Sequence, residues 1–131
     1  PPPHECSSAA SDVCKRQAIT YGKDYNGSVI SPFTEMQGME QPIKYWVPSI
    51  APSGMMLYDK DLFPEWKGSI FVSSMKPGSV RRLELKENKI IKEHIIFDDL
   101  SRIRDIAFLP NGSILLATDG SGGEIISVQP N

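Results

Sequence analysis

Gly68-Ser69-Ile70-Phe71-Val72-Ser73-Ser74 returns as Gly112-Ser113-Ile114-Leu115-Leu116-Ala117-Thr118, 44 residues further along the chain. Each copy is a short apolar run rich in β-branched residues, and each opens on a glycine that supplies the turn before a strand. Working outward, Gly54–Tyr58 reads as a strand before the first copy. Val80–Leu85 and Lys89–Phe97 read as two strands after it, bounded by Pro77-Gly78-Ser79 and Glu87-Asn88. Arg104–Leu109 precedes the second copy across the turn Pro110-Asn111-Gly112, and Glu124–Val128 follows it. Gly78 recurs as Gly123, an offset of 45.

Four short antiparallel strands per ~40–50 residues is the period of propeller blades. The middle strands are apolar on successive residues rather than on alternate ones, as in sheets covered on both faces. The expectation is therefore an all-β β-propeller fragment with two adjacent blades, one four-stranded and one three-stranded. A seven-stranded β-sandwich fits the strand count equally well. The 44-residue repeat favours the propeller, and a sandwich has no need of the loop-rich stretch from Ala18 to Ile43. The last blade lacks a fourth strand, which propellers often take from the other end of the chain. The chain thus reads as the C-terminal piece of a longer propeller, exposing apolar faces and strand edges when isolated.

Residues 1–17 differ from the rest. They are rich in Pro, Ser, Ala and charge without strand or helix periodicity, and read as a non-native or disordered tail before a domain at 18–131. Cys6 and Cys14 both lie there, so they say little about redox compartment. A net charge of −2 gives no reason to expect nucleic acid as a partner. No apolar run approaches the ~20 residues of a membrane span.

Few residues carry chemistry. Arg102 and Arg104 sit two apart at the head of a strand, where i and i+2 project to one side. Two planar forks on one side suit a ligand bearing several carboxylates. Lys76 stands at the matching end of the preceding blade. The alternative is a surface pair salt-bridged to Asp98, Asp99 or Asp105, with a turn lysine. Trp46-Val47-Pro48-Ser49-Ile50-Ala51-Pro52-Ser53-Gly54 is stiffened by proline, and its Trp46 and Ser49 are able to line a pocket or simply pack a blade edge. Asn26-Gly27-Ser28 and Asn111-Gly112-Ser113 match a glycosylation acceptor, but Asn-Gly is more simply a turn. Gly120-Ser121-Gly122-Gly123 lacks the Lys of a phosphate loop. His94 has no Cys or His at ligand spacing and is expected to face solvent. No catalytic residue and no metal ligand is assignable.

Several of these segments together resemble the soluble PQQ-dependent aldose sugar dehydrogenases of the glucose/sorbosone dehydrogenase family. They are Tyr45–Gly54, Phe63–Val72, Ser74-Met75-Lys76 and Arg102–Asp105, with Tyr21-Gly22 and Met39-Glu40-Gln41-Pro42 before them. The resemblance runs from about Ala18 to the C-terminus. It implies a six-bladed propeller holding pyrroloquinoline quinone (PQQ) with a calcium ion. A histidine base and the quinone there oxidise the C1 hydroxyl of an aldose to a lactone, and an external electron acceptor re-oxidises the cofactor. It implies cofactor binding by Lys76, Arg102, Arg104 and Ser49, with Trp46 at the substrate entrance, although family branches differ by one residue in the spacing of that loop. The catalytic histidine and the calcium loop match nothing in this sequence, so the chain alone is not expected to turn over. Periplasmic or secreted location is implied as well. The rival function is a non-enzymatic propeller used for recognition. In the enzyme Lys76, Arg102 and Arg104 converge on one face; in the rival they diverge or pair with Asp98, Asp99 and Asp105.

Overall fold

The computed structural model describes residues 19–24 and 26–130. The tail at 1–17, with Cys6 and Cys14, lies outside them. Two units are distinguished, Pro1–Ser49 and Ile50–Asn131.

In the first unit the described residues are loop, with one bridge between Lys23 and Val29 closing over Asn26-Gly27. The Asn26 side chain accepts the Ser28 N–H at 2.8 Å, and Gly27 takes φ +84°, so this Asn-Gly is a turn. Tyr21 and Tyr45 stack at 4.1 Å, and the Tyr21 hydroxyl donates to Gln41.

The second unit holds two antiparallel sheets. The first has the order β1 (Pro52–Leu57), β2 (Ile70–Met75), β3 (Gly78–Lys86) and β4 (Lys89–Leu100). The second has β5 (Ile103–Phe108), β6 (Ile114–Thr118) and β7 (Ile125–Val128). A 3₁₀ turn at Pro64–Trp66 is the sole helical element among the described residues. The two sheets are adjacent propeller blades, with β5 packed against β1 and β2. The sandwich alternative falls, because each sheet is a simple up-and-down meander around its own half of the repeat.

Both repeat glycines sit just before the second strand of their blade in left-handed backbone, Gly68 at φ +81° and Gly112 at φ +92°. That conformation is open to glycine and strained for other residues, which accounts for the recurrence. The core lies between the blades. Phe71 and Val80 from the first sheet meet Ile103, Ile106, Ile114 and Leu116 from the second. Phe108 packs edge-on against both Tyr58 and Phe71, at 4.9 and 5.4 Å between ring centres. Tyr58, fully buried, donates its hydroxyl to the Gly112 carbonyl at 2.9 Å and accepts the Phe63 N–H at 3.2 Å. One phenol therefore ties the β1–β2 connection to the β5–β6 turn.

Met55 and Leu57 on β1, Ile91 and Ile95 on β4 and Ile125 on β7 leave apolar side chains exposed on three terminal strands. The isolated 131-residue chain is expected to self-associate through them, as read by size-exclusion chromatography. A monodisperse monomer with a sharp thermal transition would contradict this. Tyr58→Phe in the intact natural polypeptide leaves a half-buried N–H and a buried carbonyl short of a partner. It should cost about 1–3 kcal/mol in urea denaturation with an unchanged slope.

Candidate functional site

The site grows from the way the first strand of each sheet begins. On β1, Pro52 pairs with Ser74 and Gly54 with Ser73, so Ser53 is an extra residue, a β-bulge. On β5, Ile103 pairs with Thr118 and Asp105 with Ala117, so Arg104 is likewise extra. The β5 bulge lets Ile103 and Ile106, three residues apart, both enter the core while Arg102 and Arg104 stay outside. The β1 bulge frees Ser53 to reach across the blade boundary. Its hydroxyl donates to the Ile103 carbonyl at 2.6 Å, between the two arginines. With that single proton committed, the 3.0 Å contact between Ser53 and Ser73 has Ser73 as donor. Gly54 completes the approach. A Cβ there would lie 2.6 Å from Asp105 Oδ1 and 3.1 Å from the Ile106 nitrogen, so no larger residue fits without moving β5.

The β2–β3 hairpin ends at the same level. Met75 pairs with Gly78, leaving Lys76-Pro77 as a two-residue tip. The Met75 and Lys76 N–H groups bond the carbonyls of Ala51 and Ile50, which extends the β1 pairing up to the tip. Buried Ser74 and Ser79 bond each other at 2.7 Å, and Ser74 also donates to the Pro77 carbonyl. A Cβ on Gly78 would overlap the carbonyl oxygens of Leu100 and Ser101, so this hairpin also needs glycine for close passage.

The two arginines meet on this tip. Arg102 Nη2 lies 3.6 Å and Arg104 Nη1 3.5 Å from Met75 Sδ, long contacts suited to the radius of sulfur. Arg102 also reaches Asp119 at 3.3 Å, in an ion pair whose side chains are 62% and 41% exposed. Such an exposed pair is typically worth less than about 1 kcal/mol and yields readily to a better anion. Arg104 and Lys76 have no carboxylate partner among the described residues. Asp98, Asp99 and Asp105 do not pair with these cations: Asp98 accepts the Asp99 N–H, and Asp105 accepts the Ile106 N–H at 2.8 Å. Ser49 and Trp46 belong to the first unit. Ser49 is exposed, and half-buried Trp46 carries Lys44 Nζ 5.6 Å from its ring centre. Trp46 lines a hollow of about 220 Å³ with Tyr21, Tyr45, Thr20 and Thr34. Sequence reasoning missed Met75, Ser53 and Asp119. Only the cross-strand register, known once the bulges are placed, brings them to the arginines.

A second charged group lies on β3 and β4. Arg82, nearly buried, bonds Ser69 Oγ at 3.1 Å, the Glu65 carbonyl and Glu84 Oε1 at 2.9 Å. His94 Nε2 lies 3.4 Å from the same Glu84 oxygen. The expectation of a solvent-facing His94 therefore needs correcting. The side chain is half-buried, because the pleat that pairs Arg82 with His94 turns both toward one face.

The sequence profile described as Glucose / Sorbosone dehydrogenase matches residues 17–127. The chain belongs to the glucose/sorbosone dehydrogenase family. Aldose sugar dehydrogenase YliI of Escherichia coli K12 is 35% identical over 114 residues, which is 85% of this chain and 31% of that protein. An uncharacterized protein of Synechocystis is 31% identical over 112 residues, covering 85% and 27%. A glucose dehydrogenase crystal structure superposes with TM-score 0.79 at 33% identity, over 86% of this chain and 34% of that one. The apo-form E. coli aldose sugar dehydrogenase gives 0.73 at 32%, over 86% and 33%. The chain thus spans about a third or less of the length of these family members.

The charged group on β3 and β4 makes a prediction of its own. Burial raises the Glu84 pKa, but the Arg82 guanidinium bonded to it and the nearby His94 imidazole outweigh this and leave the carboxyl below its ordinary value. A depressed folded pKa means stability that is present above the unfolded value and lost as pH falls through the folded one. Glu84→Gln should therefore lower thermal stability near neutral pH and flatten its decline below about pH 4.5. Melting curves from pH 7 to pH 3 read both effects.

Proposed function

We propose that this chain is the C-terminal part of a PQQ-dependent aldose dehydrogenase and supplies the cationic side of its cofactor site. The observation that carries the reading is the convergence of Arg102 and Arg104 on one uncharged sulfur, that of Met75, the residue before Lys76 in the chain. The donor set fits a planar group with several carboxylates. Arg102 and Arg104 offer two-pronged donors, Lys76 a point charge, and an exposed ion pair with Asp119 is the one competitor among the described residues.

When bound, PQQ supplies the two-electron acceptor for hydride leaving the sugar C1. The residues of this chain hold and polarise. Their positive charge offsets the ligand carboxylates and stabilises the negative charge that builds as hydride arrives. Ser53 and Met75 fix where the guanidiniums start from, so less freedom is lost on binding. The family resemblance extends the reading to Ser49 for the cofactor and to Trp46 for the sugar entrance. The aldose C1 hydroxyl would be oxidised to the lactone, with an external electron acceptor closing the cycle in the periplasm or outside the cell. The proton-abstracting base is not assigned to this chain. No group of three or more His, Cys, Asp or Glu able to hold a metal occurs among the described residues.

The recognition-module alternative required the cations to diverge or pair with Asp98, Asp99 and Asp105. Shared contact with one sulfur supports the enzyme instead. Reconstitution of the intact apoenzyme with PQQ and calcium, followed by dye-linked oxidation of an aldose, tests this. Arg104→Ala should weaken PQQ retention by about one to two decades, as loss of a charge-assisted contact does. Arg102→Lys should also be costly, because a point charge cannot replace a fork. His94→Ala should leave turnover unchanged. Full retention by both arginine variants, with loss in the His94 variant, would overturn the assignment.

A further inference from the structure

We infer that Met75 is a positioning residue for the arginine pair, and that it serves because its sulfur accepts hydrogen bonds without carrying charge. The inference rests on the cofactor reading above and adds to it the residue that sets the spacing of the two forks. One atom, Met75 Sδ, receives Arg102 Nη2 at 3.6 Å and Arg104 Nη1 at 3.5 Å, so those two nitrogens lie within about 7 Å of each other. The sulfur is itself fixed from behind. Met75 N–H is bonded to Ala51, its neighbour Ser74 is locked to Ser79, and the hairpin passes Gly78 too tightly to shift.

Two like charges this close repel, and in water their long side chains would otherwise spread. A thioether is a weak acceptor. It restrains both guanidiniums near the geometry a carboxylate-bearing ligand needs, yet gives way when stronger oxygen acceptors arrive. An acidic residue in its place would hold the pair more firmly but neutralise it, removing the attraction for an anion. Methionine at the hairpin tip thus orders the forks and leaves their charge free.

A packing role makes the opposite prediction. If Met75 only filled space, Met75→Leu would be benign, because the swap conserves volume and apolarity, and Met75→Gln would be the worse change. If it positions, the order reverses: leucine has no acceptor, whereas the neutral amide oxygen of glutamine has one. The test is isothermal titration of PQQ into the intact apoenzyme variants, with melting temperatures measured in parallel. Met75→Leu should lower PQQ affinity roughly three- to tenfold with little change in melting temperature, as expected for losing weak hydrogen bonds. Met75→Gln should stay within about twofold of the parent, on the same scale. Met75→Glu, matched to glutamine in shape, should bind more weakly than either. Parent-like affinity in Met75→Leu with loss in Met75→Gln would overturn the inference, as would equal affinities for Met75→Gln and Met75→Glu. Arg104→Ala run alongside separates the two levels. If it too leaves affinity unchanged, the cofactor reading has failed; if it weakens binding while Met75→Leu does not, only the positioning role has.

Discussion

The Tyr58 hydroxyl is the constraint on which the arrangement of the two blades turns. Apolar contact between sheets is non-directional, and two meanders packed only through Phe71, Ile106 and Leu116 would be free to slide by a residue. Tyr58 removes that freedom. It reaches out of the β1–β2 connection and donates to the Gly112 carbonyl, in a turn whose left-handed backbone admits glycine most readily. A Cβ on Gly112 would sit 2.5 Å from Leu62 Cβ and 3.0 Å from the Tyr58 oxygen, so the turn is held from both sides. Buried and fully bonded, the phenol fixes the axial register of one blade against the next.

Register at that end decides geometry at the other. β1 and β5 run side by side from the arginine end toward the aromatic cluster, and each carries a bulge near its start. With the far ends pinned at Tyr58 and Phe108, the near ends can meet only where Ser53 finds the Ile103 carbonyl and Gly54 clears Asp105. Arg102 and Arg104 flank that carbonyl. Their approach to Met75 is therefore a consequence of core packing some five residues away, carried through two strands and one serine hydroxyl. A stiff scaffold with a few polar contacts at its rim is how a fold holds long cationic side chains in place.

Much of this was legible in the chain itself. The paired Gly-Ser-Ile segments gave the blade period because the same left-handed turn precedes the same strand in each blade, and all seven strands lie where their apolar runs predict. The boundaries of β1 and β4 moved by a few residues. Pro52 pairs with Ser74 despite being proline because β1 is an edge strand, and β4 continues through Asp98 and Asp99 to pair Leu100 with Gly78. The i, i+2 arginines were visible by spacing alone. Their neighbours were not, since a bulge shifts which residues oppose one another and leaves no mark in composition. Asp119 lies across the β5–β6 ladder from Arg102, and its pairing with Arg102 in place of Asp98, Asp99 or Asp105 follows from that register. His94 was misjudged for a related reason. An outer strand looks solvent-facing, but Arg82 and Glu84 on the neighbouring strand cover one side of it.

The place of His94 also bears on what this chain contributes. It is the sole histidine among the described residues, and it lies on β4, opposite Arg82 of β3, which in turn opposes Phe71 of β2. Met75 is four residues further along β2. With strands ~4.8 Å apart and ~3.3 Å per residue, the His94 backbone sits two strands across and four residues along from that of Met75, roughly 16 Å away. In the proposed reading the arginine end is too distant from His94 for direct proton abstraction, which needs heavy atoms within about 3 Å, or one bridging water. Arg82 alongside it also opposes the approach of another cation and engages Glu84, the carboxylate nearest the imidazole. The arginine pair at the head of β5 and the histidine on β4 thus lie on different blades. In the proposed reading this separation gives the arginines a role in charge and position and gives His94 no acid–base role.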